Sequence, residues 1–388
     1  MNAGKTIFAQ LIQHLPRYEF NQCVHRYHGN YKVKSFSCMD QLLCMAFAQL
    51  TYRESLRDIV TCLNSHRQKL YHMGIRGKIA KSTLADANEF RDFRIYQDFG
   101  YILINTASTL YRNEDFGLDL KLAIYALDST VIDLCLSTFP WATFRKKKAA
   151  VKIHTLLNLK GSIPTFIFVT PGSVHDVNMM DAVPVEADAV YTMDRAYLDF
   201  ERLYNINQLS AYFVIPSKRN TRLRRIYSGP ADKTIGVQAD QTVVFVGCKS
   251  RLAYPDPLRR VRYYDAERDK RLVFLTNNFL IPAKTVADIY RSRWQVELFF
   301  KWIKQHLRIK SFFGTSPNAV KTQIWTAVSV YLLVAIVKKR LNFPGSLHTI
   351  LQILEVNLFE KIPISQLVNE TIIHEIESRD DNQLNLFT

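Results

Sequence analysis

Leu122-Ala-Ile-Tyr-Ala-Leu-Asp128-Ser-Thr130 and Ala189-Val-Tyr-Thr-Met-Asp194-Arg-Ala-Tyr197 decide the fold. Each is a short apolar run, rich in residues that suit a pleated, buried surface, and each ends on an aspartate. Similar runs occur at Leu122–Leu127, His154–Leu159, Ile163–Val169, Ala189–Met193 and Tyr212–Pro216, with Gly161 and Pro171-Gly172 marking turns. A helix fits Asp199–Leu209 between the last two. The order strand-strand-strand, connection, strand, helix, strand predicts an α/β core with a mixed sheet. Strands that end on a carboxylate bring those carboxylates to one sheet edge, where open α/β sheets hold ligands.

Outward from this core the pattern changes. Residues 38–50 carry apolar side chains at helical spacing, Thr51 and Glu54 suggest a capping box for a next helix towards Asn64, and Ser82 suggests the cap of a third. Short helices with interleaved Arg and Lys fit a helical DNA-binding module over 1–118. Past the core, 218–271 holds the basic clusters Lys218, Arg219, Arg222, Arg224, Arg225 and Arg259, Arg260, Arg262 around one clear strand, Gln241–Gly247. This predicts a β-rich basic insertion that divides the core into 119–217 and 272–315. A strand at Leu272–Thr276 leads to one long helix from Pro282 to Leu307, a C-terminal helical region follows over 316–370, and the polar 371–388 is expected to be a disordered tail.

The chain has 388 residues, 48% hydrophobic and 22% charged, a balance that excludes whole-chain disorder. The longest apolar run, Ile324–Val337, is interrupted by Thr326, Ser329 and Tyr331 and is expected to be a buried core helix, with no membrane partner. No stretch near Met1 has the form of a signal peptide. Six cysteines without CxxC or zinc spacing predict reduced thiols and a cytoplasmic protein. The net charge is +16, and half of it lies in residues 216–271, which carry 14 basic and 6 acidic side chains. Residues 119–215 have 9 basic and 10 acidic side chains. An acidic pocket in a basic protein suggests a metal site working on a phosphate backbone.

Wound as one helix at about 100° per residue, Tyr290, Arg293, Trp294, Glu297, Lys301 and Lys304 share an arc of about 100°. Val296, Phe299, Phe300 and Ile303 point mostly elsewhere. Such a strip is ordinarily a solvated face with i,i+4 ion pairs. With Asp128 and Asp194, however, Glu297 completes three hard oxygen ligands, enough for a pair of Mg²⁺ ions about 4 Å apart.

Asp128 in Leu-Asp-Ser-Thr, Asp194 in Met-Asp-Arg-Ala-Tyr, and Tyr290-x2-Arg293-x3-Glu297-x6-Lys304 resemble the DDE transposases of the insertion-sequence-four family, the YREK group. The resemblance extends over Phe144–His154, Val174-His-Asp-Val177 and the helical N-terminus, and so covers nearly the whole chain; Ala196 stands where many relatives have Gly. It implies an RNase H-like (retroviral integrase superfamily) core carrying a β-insertion between Asp194 and Glu297. It implies that Asp128, Asp194 and Glu297 bind two Mg²⁺ ions, with Mn²⁺ as an alternative, and that Tyr290, Arg293 and Lys304 hold phosphates of the transposon end. A DNA hairpin with a flipped base stacked on an aromatic ring is a family feature, and Trp294 is the candidate contact. The implied partners are double-stranded DNA, as transposon ends and target, and a second copy of the chain that pairs two ends. The implied location is the bacterial nucleoid.

Three further features are weighed on the residues alone. Lys301 shares the active strip, and Arg145, Lys146, Lys147, Lys148 and Lys152 put five cations into eight residues, giving candidate phosphate contacts. His154 and His175 lie near motif residues, where a lone histidine is more often structural than functional. Gln383-Leu384-Asn385-Leu386-Phe387 looks like a peptide that docks on a bacterial replicative sliding clamp. Two other readings are a transposase-derived DNA-binding protein without catalysis and a metal-dependent nuclease of RNase H-like fold. The complete carboxylate set argues against the first and the Tyr290–Lys304 set against the second. A two-carboxylate glycosidase is disfavoured by the basic charge.

Overall fold

The computed structural model describes residues 4–75, 77–114, 116–118, 120, 122–145, 148–306 and 312–369. The chain forms two compact units, one made of residues 112–300 and the other of residues 1–111 with 301–388.

The first unit is built on one sheet. Its strands are β1 (Ile124–Leu134), β2 (Thr143–Arg145), β3 (Lys148–Asn158), β4 (Ile163–Pro171), β5 (Val190–Met193), β6 (Tyr212–Pro216), β7 (Leu223–Gly229), β8 (Val237–Phe245), β9 (Leu258–Asp265) and β10 (Lys270–Thr276). Their order is β2-β3-β1-β5-β6-β10-β9-β8-β7, with β4 paired to β3. β1, β3 and β4 are antiparallel, whereas β5 runs parallel to β1 and β6 parallel to β5. The parallel crossover from β5 to β6 is the helix Phe200–Gln208, capped by the Asp199 side chain on Arg202 N–H. Tyr125, Leu127, Tyr191, Met193, Tyr197 and Leu203 form part of the core cluster of this unit.

Two expectations change here. Asp128 does not end β1. It ends the parallel ladder, whose last pair is Leu127 with Met193, and β1 continues to Leu134 against β3 alone. The strip from Pro282 is not one helix but two, Ala283–Ser292 and Trp294–His306, with Arg293 between them. Hydrogen bonds tighten to i→i−3 at this point, Arg293 N–H to Tyr290 and Val296 N–H to Arg293. Pro282 is the cap residue of the first helix.

The basic segment holds three strands rather than one. β7, β8 and β9 prolong the same sheet beyond β10. β7 hid from the sequence because it is an edge strand, exposed at all five of its interior positions.

In the other unit, the helices Cys38–Leu50, Arg94–Tyr111 and Pro317–Arg340 are central. A Cβ at Gly100 would come within 2.7 Å of the Trp325 ring, so glycine lets these two helices approach closely. Residues 7–10 and 358–364 meet here: Ile7 N–H donates to Glu360, Phe8 N–H to Leu358, and the Gln10 side chain bonds Ile362 and Ile364. The second helix of this unit's expected capping box starts later than Thr51. Ser55 caps Leu56–Ser65 through Asp58 N–H, while the Thr51 hydroxyl bonds back to Phe47. Ala80, not Ser82, precedes the helix Lys81–Phe90. Pro317–Arg340, which contains the interrupted apolar run, is by length and composition long and apolar enough to cross a membrane. Its most apolar stretch is 94% buried inside the protein. All six cysteines are free.

Candidate active site

The site is assembled from the edge of the sheet and the helix pair that follows β10. On β1 the alternation places Asp128 on the face opposite Leu127, and two residues beyond Thr192 the chain leaves β5 at Asp194. Asp194 accepts a hydrogen bond from Ala196 N–H, which fixes the turn after the strand. Arg293, at the break between helices, reaches down to the sheet. Its guanidinium donates to Asp128 Oδ2 at 2.7 Å and to Glu297 Oε1 at 2.6 Å. Ser129 N–H holds the other Asp128 oxygen at 2.8 Å. Tyr290 packs on Phe274, with the Arg293 guanidinium 5.7 Å from its ring.

The electrostatics follow from this crowding. Burial pushes the Asp128 carboxyl up to about 6; Arg293 and Ser129 N–H oppose that shift, while Asp194 and Glu297 add to it. Burial works against the charge of Arg293, but Asp128 and Glu297 outweigh it and raise its pKa. The Arg293 Nε is buried without a hydrogen-bond partner among the described residues. Carboxylates that repel one another and already clasp a cation are a donor set suited to a hard divalent ion. As the side chains stand, no group of three His, Cys, Asp or Glu among the described residues closes to metal-holding geometry. The guanidinium occupies the space between the Asp128 and Glu297 carboxylates. Replacing it with a neutral amide, Arg293→Gln, should therefore tighten Mn²⁺ binding by DNA-free protein several-fold, read by calorimetry. Unchanged or weaker binding would show that Arg293 does not compete with the ion.

Behind Asp128 lies a polar network. Asp176 accepts from the Ser129 hydroxyl at 2.7 Å and from the Lys152 ammonium at 3.1 Å, and Lys152 also donates to the Val174 carbonyl at 2.7 Å. Lys152 is 8% exposed. It is thus a buried structural cation and not a DNA contact, correcting the expectation drawn from its neighbours in sequence. β3 turns it to the same face as His154, away from solvent. His154 is fully buried, bonded through Nε2 to the Thr170 hydroxyl with Nδ1 3.8 Å from Asp176, and it pairs across the sheet with Ser129 rather than with Asp128.

Burial lowers the His154 pKa to about 4. The unfolded chain takes up this proton near pH 6.5 and the folded one only near 4. Stability contributed by neutral His154 is therefore complete above pH 6.5 and is lost as pH falls towards 4, by an amount on the order of 3 kcal/mol. Urea midpoints at pH 7 and 4.5 should fall less in His154→Gln than in the wild type, and equal falls would remove histidine as the cause.

The other expected contacts divide. Trp294 is 52% exposed, so it is a surface ring rather than a core one. Lys148 and His175 are exposed. Arg145 ends β2; Lys146 and Lys147 lie outside the described residues, as do Gln383, Leu384, Leu386 and Phe387. Lys301 and Lys304 continue the helix that carries Glu297, Lys301 exposed and Lys304 half-buried, and both belong to the helical unit. Ser129 and Asp176 went unassigned in the sequence. Their signal was that Ser129 follows Asp128 in Leu-Asp-Ser-Thr and that Asp176 sits in Val174-His-Asp-Val177, both runs already noted.

Comparison with known proteins gives two family matches, the transposase DDE domain over residues 120–333 and a domain of unknown function (DUF4372) over residues 3–76. A Sinorhizobium fredii protein named as the transposase y4zB is 32% identical over 264 residues, 67% of this chain and 71% of that protein. A protein named as a transposase of insertion sequence element IS5377 from Geobacillus stearothermophilus is 34% identical over 212 residues, 53% of this chain and 54% of its own length. Among solved structures, the piggyBac transposase synaptic complex with hairpin DNA aligns over 94% of this chain and 79% of that one, at 11% identity and a TM-score of 0.46.

Proposed function

Since the chain belongs to the transposase DDE domain family, we propose that it cuts DNA at the ends of an insertion sequence and joins them to a target. The observation that carries this reading is the convergence of Asp128, Glu297 and Arg293 at the sheet edge that also bears Asp194. The strand order β4-β3-β1-β5-β6, three antiparallel strands then two parallel ones, supports an RNase H-like core, with β7–β9 as its insertion. Residues 4–111 would read the DNA end.

Asp128, Asp194 and Glu297 would hold two Mg²⁺ ions, with Mn²⁺ as an alternative. Bound there, divalent ions supply a nucleophilic oxygen at neutral pH and neutralise charge on the phosphate under attack. The protein's own groups do the rest. Ser129 N–H fixes one oxygen of Asp128 and leaves the other free once Arg293 withdraws. Arg293 exchanges its two carboxylates for phosphate oxygens of the transposon end, guided by the Tyr290 ring. Lys301 and Lys304, further along the helix, add phosphate contacts. Attack by the freed 3′-hydroxyl on the phosphodiester of the opposite strand would form the hairpin ester and expel the flanking DNA's 3′-oxygen, which leaves as a hydroxyl. Trp294, exposed three residues before Glu297, would stack the displaced base. Two ends require two copies of the chain. Clamp docking through Gln383–Phe387 stands on sequence alone, and a tail peptide that fails to bind purified clamp ends it.

Labelled duplexes taken from the flanks of the element, incubated with Mg²⁺ and resolved on a denaturing gel, test the proposal. Cleavage at the element end with a hairpin product is expected. Binding without cleavage at any divalent concentration would instead support a DNA-binding protein that has lost its chemistry.

A further inference from the structure

On the same sheet edge as Asp194 lies a second concavity that the cleavage chemistry does not use. The parallel strands β5 and β6 both end there, and the chain that leaves each of them forms a wall. After β5 comes Phe200, whose ring packs on Phe245 at 4.3 Å. After β6 comes the turn Lys218–Thr221, closed by Thr221 N–H on the Lys218 carbonyl, and then Arg222. Ser250 closes the far side, and the cleft encloses about 290 Å³.

The lining has two cations, Lys218 and Arg222, an amide from Asn220, hydroxyls from Thr221 and Ser250, and no carboxylate. Both cations are exposed, and no ion pair engages either of them among the described residues. A volume just under the roughly 300 Å³ lower bound of small-molecule pockets admits one phosphate with its sugar but not a duplex. Position adds a second argument. Open sheets bind ligands beyond the carboxyl ends of parallel strands, and here that edge also carries Asp194, four residues before Leu198 of the lining.

We propose that this cleft takes one backbone phosphate and its sugar from the DNA strand running away from the cleavage site, with Lys218 and Arg222 on the phosphate and Phe200 against the sugar. The inference rests on the DNA-cleaving reading above and adds a strand-positioning site to it. Arg222 and Lys218 would set where the strand lies relative to Asp194 without touching the reacting atoms.

The test uses full-length protein and end duplexes in which single linkages are replaced by neutral methylphosphonates. Without divalent ions, wild type should lose about five- to tenfold in affinity at one linkage near the cleaved bond. Lys218→Ala/Arg222→Ala should bind more weakly, with a salt slope shallower by roughly 1–2, and should no longer respond to that linkage. The control Arg268→Ala/Lys270→Ala, removing two exposed cations elsewhere in the unit, should respond as wild type does. If the cleft variant keeps full sensitivity at every linkage, the cleft is not a phosphate site. Millimolar dAMP should leave wild-type affinity unchanged, and displacement of duplex by dAMP would assign the cleft to a free nucleotide and overturn the strand assignment. If wild type neither binds nor cuts any end duplex, the parent reading fails first, an outcome distinct from these.

Discussion

Asp194→Asn should abolish end cleavage, lowering the rate by ~10³-fold or more, while DNA binding stays equal to wild type or tightens. The isosteric amide separates chemistry from structure. Its carbonyl can still accept from Ala196 N–H, so the turn after β5 survives, but the anionic ligand is gone. Removing a negative charge beside bound phosphate should if anything favour the complex. Single-turnover cleavage and gel-shift affinity, measured on the same duplex, check both halves. A variant that cuts within tenfold of wild type would take Asp194 out of the active site.

The largest effect on stability is expected from Lys152→Met. The thioether fills the space of the stem, but Asp176 loses its cation and the Val174 carbonyl its donor. Breaking a buried pair by removing one partner typically costs about 3–5 kcal/mol. Asp176 is 29% exposed, which puts the expected loss near the lower end, ~3 kcal/mol. Lys148→Ala, four residues earlier and exposed, should stay within about 0.5 kcal/mol of wild type. Urea midpoints decide it. Lys152→Met/Asp176→Asn should recover part of the loss, because no unpaired charge then remains. Equal midpoints for Lys148→Ala and Lys152→Met would mean that Lys152 is not buried against Asp176.

These two residues also mark where sequence reading succeeds and where it stops. The end of β5 at Asp194 was legible because the apolar run stops there, although an aspartate at that place also caps a turn, as this one does for Ala196 N–H. Asp128 was singled out by the same pattern, although its strand was misjudged. The parallel ladder ends beside it while the strand runs on, and only pairing can reveal that difference. Lys152 looked like its neighbours because a run of cations carries no sign of which one β3 turns inward. Burial there depends on Asp176, 24 residues away in the chain.

Arg293 illustrates a third case. The helical spacing correctly brought it beside Glu297, and the i,i+4 pair is present. Its bridge to Asp128 spans 165 residues and arises at a helix break that no apolar period announces. Strand β7 was missed for a simpler reason: an edge strand with exposed Arg, Ile and Tyr has no buried face to impose alternation.

Anomalous diffraction from crystals soaked in Mn²⁺ gives the most direct reading of the central claim, that Asp128, Asp194 and Glu297 are one divalent-metal site. Manganese peaks on these carboxylates, with the Arg293 guanidinium withdrawn from between Asp128 and Glu297, are the predicted result. Fully loaded crystals with no peak there, and Arg293 still bridging the two carboxylates, would contradict it.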